Sequence, residues 1–133
     1  MDTSLEDYVL ENGTLSDEQA KLVFSSLCNG IEICHANNII HRDIKPSNTL
    51  LKLDHNKNII ECRVSDFGLA CQLKQYNNTT QIFGTLPYMA PEVLNIESQY
   101  NEKIDLWSLG CTLFFSLTRN LPFLSFSIQN LME

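Results

Sequence analysis

The stretch His41-Arg42-Asp43-Ile44-Lys45-Pro46-Ser47-Asn48 sets a carboxylate, an ammonium group and a carboxamide at relative positions 0, +2 and +5, directly after the apolar pair Ile39-Ile40. A hard oxygen acceptor, a compact cation and an amide on one loop form a set suited to phosphoryl transfer. Outward from it, Asp66-Phe67-Gly68 begins 23 residues after Asp43 and follows a strand-like run ending at Val64-Ser65. Ala90-Pro91-Glu92 then closes a 27-residue segment that opens at Asp66, and Gly84-Thr85-Leu86-Pro87-Tyr88-Met89 comes immediately before it. A D-F-G tripeptide means little alone. Three motifs in this order and at these spacings are far more specific.

Together they resemble the catalytic domain of eukaryotic protein kinases, and the likeness runs on through Asp105-Leu106-Trp107-Ser108-Leu109-Gly110-Cys111 to Leu121-Pro122-Phe123. The resemblance implies an α+β fold, a protein-kinase-like large lobe that is mainly helical with short strands around the catalytic loop. It also implies a Ser/Thr protein kinase that moves the ATP γ-phosphoryl group to protein Ser or Thr hydroxyls. Lys two residues after the catalytic Asp marks the Ser/Thr class, and the Gly84-Thr85 pair agrees. Small-molecule phosphotransferases of kinase type share the Asp and Asn, but typically carry Gly where Arg42 stands and lack the Ala-Pro-Glu segment.

By that resemblance Asp43 is the catalytic residue that accepts the hydroxyl proton, and Lys45 neutralises the migrating phosphoryl group and so also touches the nucleotide. Asn48 and Asp66 bind the nucleotide's Mg2+, a hard cation that prefers such oxygen ligands. His41 is expected to pack and hydrogen-bond in support of the loop, and Thr85 to brace Asp43 and Lys45. Asp105 is expected to accept backbone hydrogen bonds from the His41-Arg42 loop, since a buried carboxylate is otherwise hard to justify. Arg42 makes the loop an "RD" type, which phosphate on the activation segment often balances. Thr79 and Thr80 are the candidate sites for it, which implies an activating kinase, although Lys74 is the only other cation near them in sequence. Glu92 normally pairs with an Arg later in the domain, and Arg119 lies on the wrong helix for this.

The surrounding pattern gives the local structure. Thr3-Ser4-Leu5-Glu6 fits a capping box and Gly13 a left-handed stop, which predicts a short first helix. Ser16-Asp17-Glu18-Gln19 repeats the signal ahead of Ala20, Val23, Phe24, Leu27, Ile31 and Cys34, one helical face, with an end near Asn37-Asn38. Ile39-Ile40, residues 49–53 and residues 59–64 read as short strands. Residues 72–88 read as a polar surface loop. Ile104 to Leu117 reads as a helix apolar on nearly every side and therefore buried on every side. Asp54-His55-Asn56-Lys57-Asn58 begins like a calcium loop, but Ile59 and Ser65 occupy its required Gly and Glu positions, so it reads as a hairpin turn.

Composition narrows the partners. Nine Lys and Arg against sixteen Asp and Glu give a net charge of −7, which argues against nucleic acid and against a membrane surface. The longest uncharged apolar run, thirteen residues between Asp105 and Arg119, falls short of the roughly 20 needed to span a bilayer. An acidic start at Asp2, Glu6 and Asp7 does not fit a secretory signal, so the expected address is cytoplasmic or nuclear. Five cysteines without a C-x-x-C pair read as free thiols.

None of the five glycines forms a G-x-G-x-x-G loop, and no Ala-x-Lys strand precedes the first helix. The resemblance therefore places the ATP-binding small lobe before Met1 and assigns residues 1–133 to a partial kinase domain, the first part of the C-lobe. From this follow two expectations for residues 1–133 alone, poor solubility from an exposed apolar patch around residues 104–123 and no measurable kinase activity. The alternative reading is a noncatalytic, kinase-derived interaction module.

Overall fold

The computed structural model describes residues 1–72, 82–95 and 99–123, and Thr79 and Thr80 lie outside them. Strand β1 (Thr3–Ser4) leads into helix α1 (Leu5–Asn12), and helix α2 (Asp17–Ala36) into strand β2 (Ile39–Ile40). Strands β3 (Thr49–Leu53) and β4 (Ile59–Val64) follow, then β5 (Cys71–Gln72), the short helix α3 (Pro91–Leu94) and helix α4 (Lys103–Thr118). The architecture is α+β, as expected. Among the described residues no helix is long and apolar enough to cross a membrane.

Local chemistry sets the helix ends. Ser16 caps α2 with both bonds of a capping box: its Oγ accepts from the Gln19 amide, and the Gln19 side chain accepts from the Ser16 amide. The cap of α1 lies one residue later than the sequence pattern suggested. Ser4, not Thr3, accepts from the Asp7 amide at 3.0 Å, because the chain stays extended through Ser4, the second residue of β1, and turns helical at Leu5. Gly13 ends α1 at φ +92°, its amide donating to the Val9 carbonyl.

Strands β1, β3 and β4 form one antiparallel sheet in that order, with Thr49 opposite Val64 and Leu51 opposite Cys62. The β3–β4 connection is the expected tight turn, in which the Asp54 carboxylate accepts from the Asn56 and Asn58 amides and from the Asn58 side chain. A second antiparallel pair joins β2 to β5, Ile40 facing Cys71. The polar stretch from residue 72 is thus not all loop: Gln72 closes β5, and residues 86–88 form a single 3-10 turn with Tyr88 buried.

The main core joins Leu5, Val9, Val23, Leu27, Ile44, Leu51, Leu109 and Phe115, so α1, α2, the 41–48 loop, β3 and α4 share one interior. A smaller cluster of Ile40, Ala90, Val93 and Ile104 packs beneath the β2–β5 pair. Cys62 and Cys111 are buried within the fold, and all five cysteines are unpaired. Burial pushes the Cys62 thiol up to about 12 and the Cys111 thiol up to about 11, which makes both poor nucleophiles.

Helix α4 corrects one expectation. It is not buried on every side: Leu106, at 53% exposure, and Trp107, Phe114 and Leu117 face outward. The inward side carries Asp105, Ser108, Thr112 and Ser116 beside Ile104, Leu109, Cys111 and Phe115. The three hydroxyls tolerate burial because each donates to the carbonyl four residues earlier in the helix, and Ser108 also reaches the Tyr88 carbonyl at 2.7 Å. The exposed face, with Trp107 stacked on Phe123 at 5.3 Å, is the apolar patch anticipated around residues 104–123.

Candidate active site

The loop between β2 and the 3-10 turn at Pro46–Asn48 begins with a forced conformation. Arg42 has φ +69°, a region that side-chain-bearing residues rarely occupy. The fully buried carboxylate of Asp105 holds it there: Oδ2 accepts from the His41 amide at 2.9 Å and Oδ1 from the Arg42 amide at 2.9 Å. His35, in the last turn of α2, places Nε2 2.8 Å from the same Oδ2. Helix α4 thereby supports the loop from below, and α2 supports α4. His35 was not singled out by sequence reasoning, because its contact spans 70 residues and no local pattern marks it.

His41 is buried and links three segments. Its Nδ1 accepts from the Asp43 amide at 3.3 Å, its Nε2 donates to the Ser65 carbonyl at 3.0 Å, and its ring packs edge-on against Phe67 at 4.7 Å. Ser65, also missed in the sequence, donates from both its amide and its hydroxyl to the Asn48 carbonyl at 2.9 Å. The residue before Asp66 is therefore stitched to both His41 and Asn48. Asp66 itself is exposed, adopts φ +61°, and accepts from the Gly68 amide at 3.1 Å.

Three side chains meet directly around the Asp43 carboxylate. Lys45 Nζ lies 2.8 Å from Oδ2, Thr85 Oγ1 donates to Oδ1 at 2.7 Å, and Asn48 Nδ2 donates to Oδ2 at 3.0 Å and to the Asp43 carbonyl at 2.9 Å. Lys45 also donates to Thr85 Oγ1 at 2.7 Å, closing a three-membered ring of contacts. Burial pushes the Asp43 carboxyl up, but hydrogen bonds from Lys45, Thr85 and Asn48, together with the Lys45 charge, outweigh it and hold the group below its ordinary value. Asp43 is thus kept ionised at neutral pH, with its hydrogen-bonding neighbours already in place.

Lys45, Asn48 and Thr85 each contact Asp43, whereas Asp66 joins them through the backbone of Ser65. His41 and Arg42 act on the loop from its Asp105 side. Glu92, half-buried at the start of α3, has no ion pair among the described residues, and Arg119 instead donates to the Leu10 carbonyl at 3.1 Å. Asn48 turns its Nδ2 inward to Asp43, which leaves Oδ1 as the amide atom able to reach a cation. The exposed Asp66 carboxylate is the other candidate oxygen donor, and two such donors, short of a complete cage, suit magnesium that also binds phosphate oxygens. No group of three or more His, Cys, Asp or Glu fit to hold a metal occurs among the described residues.

Gly84 carries a local prediction. Its φ is +114°, and a Cβ there would lie 2.6 Å from the Arg42 carbonyl oxygen, a backbone atom that cannot swing aside. Gly84→Ala is expected to lower stability by about 1–3 kcal/mol and to loosen Thr85 from Asp43, read as a lower urea midpoint at unchanged m-value.

Comparison with known proteins places these contacts in context. The family described as "Protein kinase domain" matches residues 1–133. Sperm motility kinase 2B of Mus musculus is 37% identical over 130 residues, covering 98% of this chain and 26% of the relative. Serine/threonine-protein kinase cds1 of Schizosaccharomyces pombe is 36% identical over 135 residues, 97% of this chain and 28% of the relative. The liver/testis isoform of the phosphorylase b kinase gamma catalytic chain of Homo sapiens is 39% identical over 124 residues, 90% of this chain and 29% of the relative. The chain thus spans little more than a quarter of the length of these curated relatives.

Proposed function

The chain belongs to the protein kinase family, and from that premise we propose that it is the first part of the large lobe of an ATP- and Mg2+-dependent Ser/Thr protein kinase, carrying the catalytic loop and activation segment. The observation that carries this reading is the Asp43 carboxylate, ionised and held between Lys45, Thr85 and Asn48. Asp43 orients the acceptor Ser or Thr hydroxyl and takes its proton as the new oxygen–phosphorus bond forms and the bond to the departing ADP oxygen breaks. Lys45 offsets the negative charge of the migrating group. Asn48 Oδ1 and Asp66 are the residues that would hold magnesium, which when bound neutralises charge on the phosphate oxygens. Thr85 keeps the Asp43–Lys45 pair in register, and Thr79 and Thr80 are the proposed phosphorylation sites whose phosphate Arg42 would balance.

The partners under this reading are a Ser/Thr-bearing protein substrate and an activating kinase, and the site of action is cytoplasmic or nuclear. A noncatalytic interaction module is the second reading, favoured by the outward apolar side chains of α4. One assay separates them: γ-labelled ATP, Mg2+ and a mixed protein substrate, applied to residues 1–133 and to the longest natural product that contains them. The longer product is expected to label Ser and Thr, and residues 1–133 alone to label nothing. Labelling confined to Tyr would refute the Ser/Thr assignment, and an inactive longer product with an intact ATP site would favour the module.

A further inference from the structure

Three consecutive residues of the activation segment meet the catalytic loop at three consecutive points of contact. Thr85 bonds Asp43 and Lys45, the Gly84 backbone lies directly on the Arg42 carbonyl, and the Arg42 guanidinium carbon sits 4.3 Å from the centre of the Phe83 ring. That distance is well inside the roughly 6 Å over which a guanidinium is attracted to an aromatic face, and both side chains are half-buried, which strengthens the attraction. The guanidinium cannot drift from the ring, because its Nε donates to the Leu69 carbonyl and its backbone is pinned by Asp105.

We propose that Phe83 is a positioning residue: its ring, seated on the Arg42 guanidinium, tethers the activation segment so that Thr85 is held between Asp43 and Lys45. An aromatic face does here, by quadrupole attraction, what in-plane acceptors do by hydrogen bonding. The two modes use different parts of the same cation. A face contact leaves the edge of the guanidinium for oxygen acceptors such as the Leu69 carbonyl, so the Phe83 seat is compatible with an acceptor or phosphate at that edge. The seat requires both a flat cation and a π-face. Leu at position 83 keeps apolar bulk but loses the attraction, Tyr keeps it, and Lys at position 42 keeps charge but loses the planar surface.

The test is nuclear magnetic resonance of the isotope-labelled protein, following the Arg42 Nε–H signal. The bond to the Leu69 carbonyl moves this proton downfield and the Phe83 ring current moves it upfield, so the difference between variants isolates the ring. Phe83→Tyr keeps the natural position and the slow exchange. Phe83→Leu moves the proton downfield and raises its exchange about five- to tenfold, with the amides of α2 unmoved. A Leu variant that keeps the natural position, or a Tyr variant that loses it, overturns the proposal. The inference rests on the kinase reading only for its consequence, a lower kcat with unchanged KM for ATP in Phe83→Leu of the longest natural product. Absence of phosphoryl transfer with the Arg42 signal intact would count against the kinase reading and not against the tether.

Discussion

Asp43→Asn is expected to lower kcat of the longest natural product about 10²- to 10⁴-fold while KM for ATP changes little. Under the proposed function the carboxylate works only as the hydroxyl proton leaves, so its loss would remove stabilisation of the transition state and leave ground-state binding almost untouched. The substituted amide is close to isosteric, but it cannot take the proton. It also turns one hydrogen-bond donor toward Lys45 or Thr85, both of which now donate to oxygen. Steady-state kinetics under saturating ATP checks the claim, and a kcat within threefold of the parent would remove Asp43 from its role. The same residue leaves an acid signature on folding. Its carboxyl titrates lower in the folded chain than in the unfolded one, where it lies near 3.9, so its contribution to stability is fully present above about pH 3.9 and is lost as pH falls through the lower folded value. Asp43→Asn should flatten that part of the acid-unfolding curve.

Asp105→Ala is expected to lower the unfolding free energy by about 3–5 kcal/mol. The buried amide of His41 and the half-buried amide of Arg42 lose the carboxylate that accepts from them, at about 1–3 kcal/mol each, and the left-handed backbone of Arg42 loses what holds it. Against a total stability of about 5–15 kcal/mol this is a large share. Asp105→Asn should fall between, since one amide oxygen still accepts while the NH2 group faces donors. Urea titration gives the magnitude, and hydrogen exchange at the two amides gives the location. A loss below about 1 kcal/mol with both amides still protected would show that the loop holds its shape by other means.

Much of this arrangement was legible in the sequence because it depends on residue types at short separation. The Ser16 capping box, the Asp54 turn and the 0, +2, +5 spacing of Asp43, Lys45 and Asn48 are settled within a few residues, and the distances follow from that. What could not be read was tertiary. His35 reaches Asp105 across 70 residues, Ser65 reaches Asn48 across 17, and strand β5 is two residues whose only strand character is their pairing with Ile39-Ile40. Thr3 and Ser4 are equally good caps in isolation, and the sheet decided between them by keeping the chain extended through Ser4 to the helix start at Leu5. Helix α4 misled in the opposite direction. A tally of apolar residues does not say which face is covered, and the packed face proved to hold an acid and three hydroxyls.

The mixed packing of that helix predicts an unusual tolerance map. Along α4 the buried hydroxyl positions join Ile104, Leu109, Cys111 and Phe115 among the sensitive ones, and the outward apolar positions are the permissive ones. Ser108, Thr112 and Ser116 are small residues that let neighbouring backbones come near, so their sensitivity is to bulk and not to loss of polarity: alanine should pass where leucine fails. Leu106 and Phe114, by contrast, should accept charged replacements with little cost to this segment's own fold.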